Sequence, residues 1–307
     1  MPFYLGIDGG GTKTTCAVGD ETHLLAAATA GPSNIVRVGE ELARESLGQA
    51  VHQACAAAGI MPDQVVRTCV GGSGAARPEL AARVRSILAG ILPSPIDVVG
   101  DIETSLEAAF GDESGVIVIA GTGSIAYGRD NNGKTVRAGG WGFEVGDEGS
   151  AHWIGRAAVS AVLRASDREG DRVRSSSLAK ALCKTWRVSS LLDLARAANS
   201  VPPPDFAALF PAVVGSHDEL ACPVLGRAGR ELADIASVVI RKLFSKDEDA
   251  FVPVAMIGGV FRYAPLVREA FYNELQMLAP RAKLLPQVVD PVEGALRMAR
   301  QAAGTRF

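Results

Sequence analysis

The stretch that most constrains this chain is Asp8-Gly9-Gly10-Gly11-Thr12-Lys13-Thr14. It is entered from the apolar run Phe3-Tyr4-Leu5-Gly6-Ile7 and left through Thr15-Cys16-Ala17-Val18. Three glycines between two strand-like runs let the backbone turn with φ above zero and leave main-chain N–H groups uncovered, which a phosphate needs if it is to sit against main chain. Gly10, Gly11 and Thr12 are therefore candidate phosphate contacts. Lys13 follows the turn directly and could reach a phosphate, although a lysine on an edge strand is more often a solvated side chain. Asp8 would repel a bare phosphate, which makes it an indirect partner of a divalent cation, Mg2+, held through water. The bland alternative is a tight hairpin whose glycines serve only the turn, and the rest of the chain has to decide.

The opening design recurs. Val116-Ile117-Val118-Ile119-Ala120-Gly121-Thr122-Gly123-Ser124-Ile125-Ala126-Tyr127 is again an apolar strand, a Gly/Thr turn and a second strand. The spacing of roughly 110 residues is the size of one domain, so the chain reads as two related halves, each with a phosphate-type hairpin. In the first half, Leu24 to Ala28 adds a third strand. Helical spacing of Ala43, Leu47, Ala50, Val51, Ala54 and Ala58 predicts a helix over 40–58, stopped by Gly59. A strand over 65–70, a helix over about 77–92 with Leu80, Val84, Ile87 and Leu88 inward, and a strand over 96–100 come next. That last strand runs into a helix over 101–110, which puts Asp101 at the junction. In the second half, residues from Ser150 to about Phe244 read as mainly helical, with a loop at Val201-Pro202-Pro203-Pro204-Asp205. The chain then closes as βαβα: strand 252–257, a turn at Gly258-Gly259, helix 265–278, strand 282–285 and helix 291–303.

Charge and composition narrow the function classes. A net charge of −3 without a dense basic run gives no electrostatic footprint for nucleic acid or an anionic membrane. The longest apolar runs fall far short of the ~20 residues that span a bilayer. Five cysteines without C-x-x-C spacing fit reduced thiols, most of them small core residues, in a cytosolic protein. A strand within three residues of Met1, with no basic flank or apolar signal core, leads to the expectation of a cytoplasmic enzyme. No His, Cys and Asp set has zinc spacing, and His152 reads as structural.

Two Gly/Thr hairpins a domain apart, an acid at a strand end between them, and a strand-Gly-Gly-helix near the C-terminus occur in one order. Together they resemble the actin-like ATPase fold shared by sugar kinases. On that resemblance Asp8 to Thr15 is the first phosphate loop, Gly121-Thr122-Gly123-Ser124 the second, and Met256-Ile257-Gly258-Gly259-Val260 the adenosine loop. More narrowly, Pro32-Ser33-Asn34, Asp101, Ala120 to Ser124, and Gly139-Gly140-Trp141-Gly142 followed by Gly146-Asp147-Glu148-Gly149-Ser150 resemble the N-acetylglucosamine kinase branch of the BadF/BadG/BcrA/BcrD ATPase family. The resemblance implies an α/β chain of two ribonuclease H-like domains with an interdomain cleft and a helical elaboration in the second. The domains are expected at 1–115 and 116–290, with a C-terminal helix, 291–307, packing back on the first. It also implies ATP and Mg2+, a small-molecule sugar as the other partner, and a homodimer. Asn34, Asp101, Thr122, Gly140, Trp141 and Asp147 would contact the sugar, with Glu148 nearby, and Gly121, Thr122, Gly123, Gly258 and Gly259 would contact the nucleotide.

The chemistry follows from the residue types. Moving a γ-phosphoryl group to a sugar hydroxyl, expected to be O6 of an N-acetylhexosamine, needs three things: phosphate charge neutralised, the acceptor oxygen held in line, and its proton accepted. Asp101 is the candidate base, Asp8 the cation-orienting acid, and the hairpin amides the electrophilic cradle. Each assignment has a plainer rival. Asp101 with Thr104 could be a helix N-cap, Asp147 and Ser150 could cap the helix starting near Ser150, Asn34 could be a turn residue, and Trp141 and Trp153 could merely pack. Rival functions are a kinase for glucosamine or another amino sugar, and an ATPase activator of a radical dehydratase or reductase. The activator needs a local cysteine pair for a shared iron–sulfur cluster, which this chain lacks.

Overall fold

The computed structural model describes residues 1–75, 77–245 and 251–304. The chain divides into two compact units, Met1–Glu113 with Val289–Phe307, and Ser114–Val288.

The first unit opens with β1 (Phe3–Gly9), β2 (Thr14–Gly19) and β3 (Leu24–Ala30), then α1 (Ile35–Val38) and α2 (Glu40–Ala57). It continues with β4 (Val65–Gly72), α3 (Pro78–Ala89), β5 (Ile96–Gly100) and α4 (Asp101–Phe110). The sheet order is β3-β2-β1-β4-β5. β1, β2 and β3 pair antiparallel, while β4 and β5 run parallel to β1. Central β1 is covered on both faces, which is why it reads as a nearly unbroken apolar run. On one face Leu5, Ile7, Cys16 and Val18 meet Leu47, Val51, Ile87 and Leu88 of α2 and α3.

The second unit repeats this plan with β6 (Gly115–Ala120), β7 (Ser124–Arg129) and β8 (Thr135–Gly139). A helical block comes next: α5 (Ala151–Glu169), α6 (Ser177–Trp186), α7 (Leu191–Ala198), α8 (Phe210–Gly215) and α9 (Ala221–Phe244). Then come β9 (Val252–Ile257), α10 (Gly259–Tyr263), α11 (Pro265–Leu278) and β10 (Ala282–Leu284). The sheet order β10-β9-β6-β7-β8 is the first sheet's order again, with β6 in the place of β1. The repeat seen in the sequence at one hairpin thus extends to all five strands. Its core joins Val116 and Val118 to Ile154, Ala158 and Val162 of α5 and to Leu232, Ala236 and Ile240 of α9.

One element differs from the sequence reading. Helical periodicity is legible only over 232–243, yet α9 starts at Ala221. Pro223 in its first turn and Gly226 and Gly229 inside it mask the pattern. Gly229 has a packing reason, since a Cβ there would sit 2.5 Å from the Val267 carbonyl of α11. The last helix, α12 (Pro291–Gly304), follows β10 in the chain and groups with the first unit. Its Val292, Leu296 and Ala299 pack on Tyr4, Ala17 and Cys69, on the face of the sheet opposite α2. Burial of each large apolar side chain there contributes roughly 1.5–3 kcal/mol. Arg300 donates to the Asp20 carbonyl at 2.7 Å and Arg297 to the Glu107 carbonyl at 2.6 Å. Among the described residues, no helix is long and apolar enough to cross a membrane.

Candidate active site

In the first unit the glycine turn is a closed hairpin, and Gly9 and Gly10 do not have the positive φ expected from the sequence, nor do Gly121 and Gly123 in the second turn, because the strand ladder runs up to each turn. Gly9 pairs with Thr14 in the ladder, and the Gly10 N–H donates to the Lys13 carbonyl at 3.0 Å. Thr12 and Lys13 are exposed at its tip. Lys13 lies in the turn and not on an edge strand, because β2 is flanked by β1 and β3. A solvent-facing cation beside the uncovered turn suits a phosphate oxygen.

The loop after β3 is bonded directly to this turn. The Ser33 and Asn34 N–H groups both donate to the Gly10 carbonyl, at 3.1 and 3.2 Å. Asn34 does serve local structure, as its Oδ1 caps α1 by accepting from Val36 and Arg37 N–H. That cap uses the oxygen, and the amide nitrogen is the part of the side chain left over for a ligand.

Asp101 is the first residue of α4, and the N-cap position is taken by Gly100, so the plainer N-cap reading does not hold. Thr104 donates its hydroxyl to the Asp101 carbonyl at 3.2 Å, a bond to main chain. Burial pushes the Asp101 carboxyl up to about 6, Glu103 adds to this, and hydrogen bonds from its own and the Ile102 N–H and from the Ser73 hydroxyl work the other way. A carboxylate of that basicity is ionised at neutral pH yet ready to take a proton.

Asp8, at the end of β1, is pushed up to about 7, first by burial and then by the charges of Asp101 and Asp290, with Lys13 pulling it down. Asp290, just ahead of α12, is the site residue that sequence reading passes over. Its only signal is the Asp-Pro start of a helix, and its nearness to Asp8 follows from α12 packing against β1. Among the described residues, no three His, Cys, Asp or Glu side chains are grouped to hold a metal directly. A buried carboxylate at Asp8, with the Asp101 and Asp290 charges acting on it and no closed ligand cage among the described residues, fits Mg2+ that keeps its waters and takes further oxygens from a phosphate.

In the second unit the Gly121–Ser124 turn is pinned by its own main chain and by the start of α5. Gly121 N–H donates to the Gly123 carbonyl at 2.9 Å. Ala151 and His152 N–H, in the first turn of α5, donate to the Gly121 and Thr122 carbonyls at 2.8 and 3.3 Å. Ser150 is the N-cap of α5, its hydroxyl accepting from Trp153 N–H, and Asp147 is not. Asp147 is buried with φ of +59°. Its carboxyl is pushed up chiefly by burial, while the Gly142 N–H, at 3.3 Å, and the Ser124 N–H hold it down. Ser124 in turn donates its hydroxyl to the Glu148 carbonyl at 2.7 Å.

Gly139, Gly140 and Gly142 have positive φ, which explains the glycine run around Trp141. The two tryptophans part company. Trp153 is buried, whereas Trp141 is 69% exposed with the Arg137 guanidinium 4.6 Å over its ring. An exposed indole held flat by a cation is a stacking platform for a ligand face. Gly258, at φ +102°, opens α10 against the second turn, where a Cβ would lie 3.2 Å from the Gly121 nitrogen and overlap the Ala120 carbonyl. Thus Asp8, the first turn, Asn34 and Asp101 assemble within the first unit. The second turn, Gly258, Gly140, Trp141, Asp147 and Glu148 assemble within the second.

The BadF/BadG/BcrA/BcrD ATPase family model matches residues 5–299. The chain belongs to this family. An N-acetyl-D-glucosamine kinase from Dictyostelium discoideum is 30% identical over 97% of this chain and 97% of its own length. An N-acetylmuramic acid/N-acetylglucosamine kinase from Clostridium acetobutylicum is 29% identical over 98% of this chain and 99% of its own. The solved structure of a candidate N-acetylglucosamine kinase from Chromobacterium violaceum matches with a TM-score of 0.72 at 26% identity, covering 97% of this chain and 99% of that one. Two ribonuclease H-like sheets carrying these turns are accordingly the actin-like ATPase arrangement. This BadF/BadG-type chain is an enzyme of the phosphotransferase class with an alcohol acceptor.

Proposed function

We propose that this BadF/BadG-type chain is an ATP-dependent kinase that phosphorylates O6 of an N-acetylhexosamine, N-acetylglucosamine in the first place. The observation that carries the reading is Asp101: a carboxylate at the first position of α4, bonded by the Ser73 hydroxyl, with its basicity raised toward neutrality by burial. In this reading the Asp101 carboxylate accepts the proton of the acceptor hydroxyl as that oxygen bonds to the γ-phosphorus and the bond to the β-γ bridging oxygen breaks, leaving ADP and the sugar phosphate.

The phosphates are met by main-chain N–H groups of both glycine turns, with Lys13 in the first and the α10 start at Gly258-Gly259 beside the second. Mg2+, when bound with the nucleotide, would neutralise phosphate charge, and Asp8 is the residue that would hold it, through water. Asn34 and Asp101 of the first unit, and Thr122, Gly140, Trp141, Asp147 and Glu148 of the second, would meet the sugar. Trp141 is suited to its apolar face and the others to its hydroxyls and acetamide.

The test is ADP release, coupled to a spectrophotometric readout, over N-acetylglucosamine, N-acetylmannosamine, N-acetylmuramic acid, glucosamine and glucose. N-acetylglucosamine should turn over best, with the 6-phosphate as product. A 6-deoxy analogue should be inert. Absence of turnover with every amino sugar would remove the assignment.

A further inference from the structure

The two units place a hydroxyl at the same structural position. Thr14 is the first residue of β2 and pairs with Gly9, and Ser124 is the first residue of β7 and pairs with Ala120, so each closes its own glycine turn. Both side chains are buried. The Thr14 hydroxyl lies 2.8 Å from the Gly31 carbonyl and 2.8 Å from the Ser33 hydroxyl. With one proton to give, it donates to Gly31 and accepts from Ser33. The Ser124 hydroxyl donates to the Glu148 carbonyl at 2.7 Å. In each unit a phosphate-type turn is therefore tied, by a buried hydroxyl, to the segment that carries the candidate sugar contacts, Asn34 in one and Asp147-Glu148 in the other. Main-chain bonds run beside each tie, from Asn34 to Gly10 and from Ala151 to Gly121.

We propose that Thr14 and Ser124 are equivalent positioning residues, duplicated with the fold, that make each phosphate turn and its acceptor segment move as one piece and so couple nucleotide binding to sugar binding. The coupling rests on the kinase reading above, because it takes those segments to hold the acceptor. Reciprocity requires that whatever the sugar does to nucleotide affinity, the nucleotide does to sugar affinity. Cutting a tie should therefore move both binding constants together, whereas a residue that touched one ligand alone would move one.

The variants are Thr14→Val, which removes the hydroxyl and both of its bonds to the Gly31–Ser33 segment at nearly constant volume, Ser124→Ala, and Thr14→Ser as the conservative control. Wild-type turnover of N-acetylglucosamine is measured first and tests the kinase reading by itself. Calorimetric Kd values for the magnesium complex of a non-hydrolysable ATP analogue are then taken with and without N-acetylglucosamine. The wild type should bind the analogue several-fold more tightly with sugar present. Thr14→Val and Ser124→Ala should each move that ratio toward one and raise KM for both substrates about five- to tenfold, the size of one lost buried hydrogen bond. Thr14→Ser should behave as wild type, and thermal melts of all three verify folding. If wild-type turnover is normal and the folded variants keep the wild-type ratio, or shift KM for one substrate only, the proposal falls while the kinase reading stands. A Thr14→Ser variant that loses the coupling would also overturn it, since the hydroxyl is kept. Failure of wild-type turnover removes both.

Discussion

Replacing Asp8 by asparagine should make the ligand-free protein more stable and the enzyme inactive. Asp8 carries a carboxyl pushed from 3.8 to about 7 by burial and by the neighbouring Asp101 and Asp290 charges. An acid whose folded-state pKa lies above its unfolded value binds its proton more tightly when folded. Below pH 3.8 it is protonated in both states and costs nothing. As pH rises from there the unfolded state ionises first, so the cost to the fold grows and levels off above about pH 7. At about 1.4 kcal/mol per pH unit the plateau is roughly 4 kcal/mol, and water reaching a partly exposed group brings the expected gain for Asp8→Asn to about 2–4 kcal/mol. The assay is urea unfolding of wild type and variant from about pH 4 to about pH 8 without nucleotide. The two curves should nearly coincide at the acid end and separate steadily up to about pH 7. Turnover of ATP and sugar by the variant should drop at least a hundredfold, and Mg-ADP should protect it from thermal unfolding less than it protects wild type. A stability difference independent of pH, or a variant less stable than wild type at the alkaline end, would refute the electrostatic account of Asp8.

The other expectations concern the base and the fold. Asp101→Asn should lower kcat by about 10²–10⁴ while sugar binding persists, and wild-type kcat/KM should fall tenfold per pH unit below about pH 6, where the base is protonated. Near-wild-type turnover would reduce Asp101 to a helix-start residue. Gly6→Ala should cost about 1–3 kcal/mol in urea unfolding, because a Cβ there overlaps the backbone of α12 at Leu296; a neutral effect would mean that α12 can shift away. Asp218 ties the start of α6 to the segment before α9. Although burial opposes it, hydrogen bonds from Leu220 and Leu178 N–H and from the Ser176 and Ser177 hydroxyls hold its carboxyl down at about 2. Asp218→Ala should therefore lower the melting temperature at neutral pH, and the difference should fade as the pH falls from about 4 toward 2, where wild type loses the same contacts.

Local signals carried much of this in the sequence. The glycine turns were legible as breaks between apolar strands, whose buried residues have a composition of their own; Gly9, Gly10, Gly121 and Gly123 do not take the positive φ expected of them, and glycine serves there by leaving the backbone uncovered. The strand-to-helix junction placed Asp101 at the first residue of α4, and the Gly-Gly-Trp-Gly run marked a loop. The start of α9 was illegible, since glycines that let it approach α11 look like breaks in a helix. Asp290 was passed over because its meaning depends on what stands across from it.

By itself, then, the sequence determined the two hairpins, their repetition a domain apart, the acid at the end of β5, and through those the family. Tertiary structure decided which carboxylates stand together, Asp290 ahead of α12 acting on Asp8 among them, that Lys13 sits at a turn tip with β2 enclosed, and that Asp147 faces back onto Gly142 and Ser124. The physical reason is one of range. Backbone conformation and burial pattern are set by residues a few positions apart, while the charges of Asp101 and Asp290 on Asp8, and the ties from Thr14 and Ser124, act between residues distant in the chain that only packing brings together.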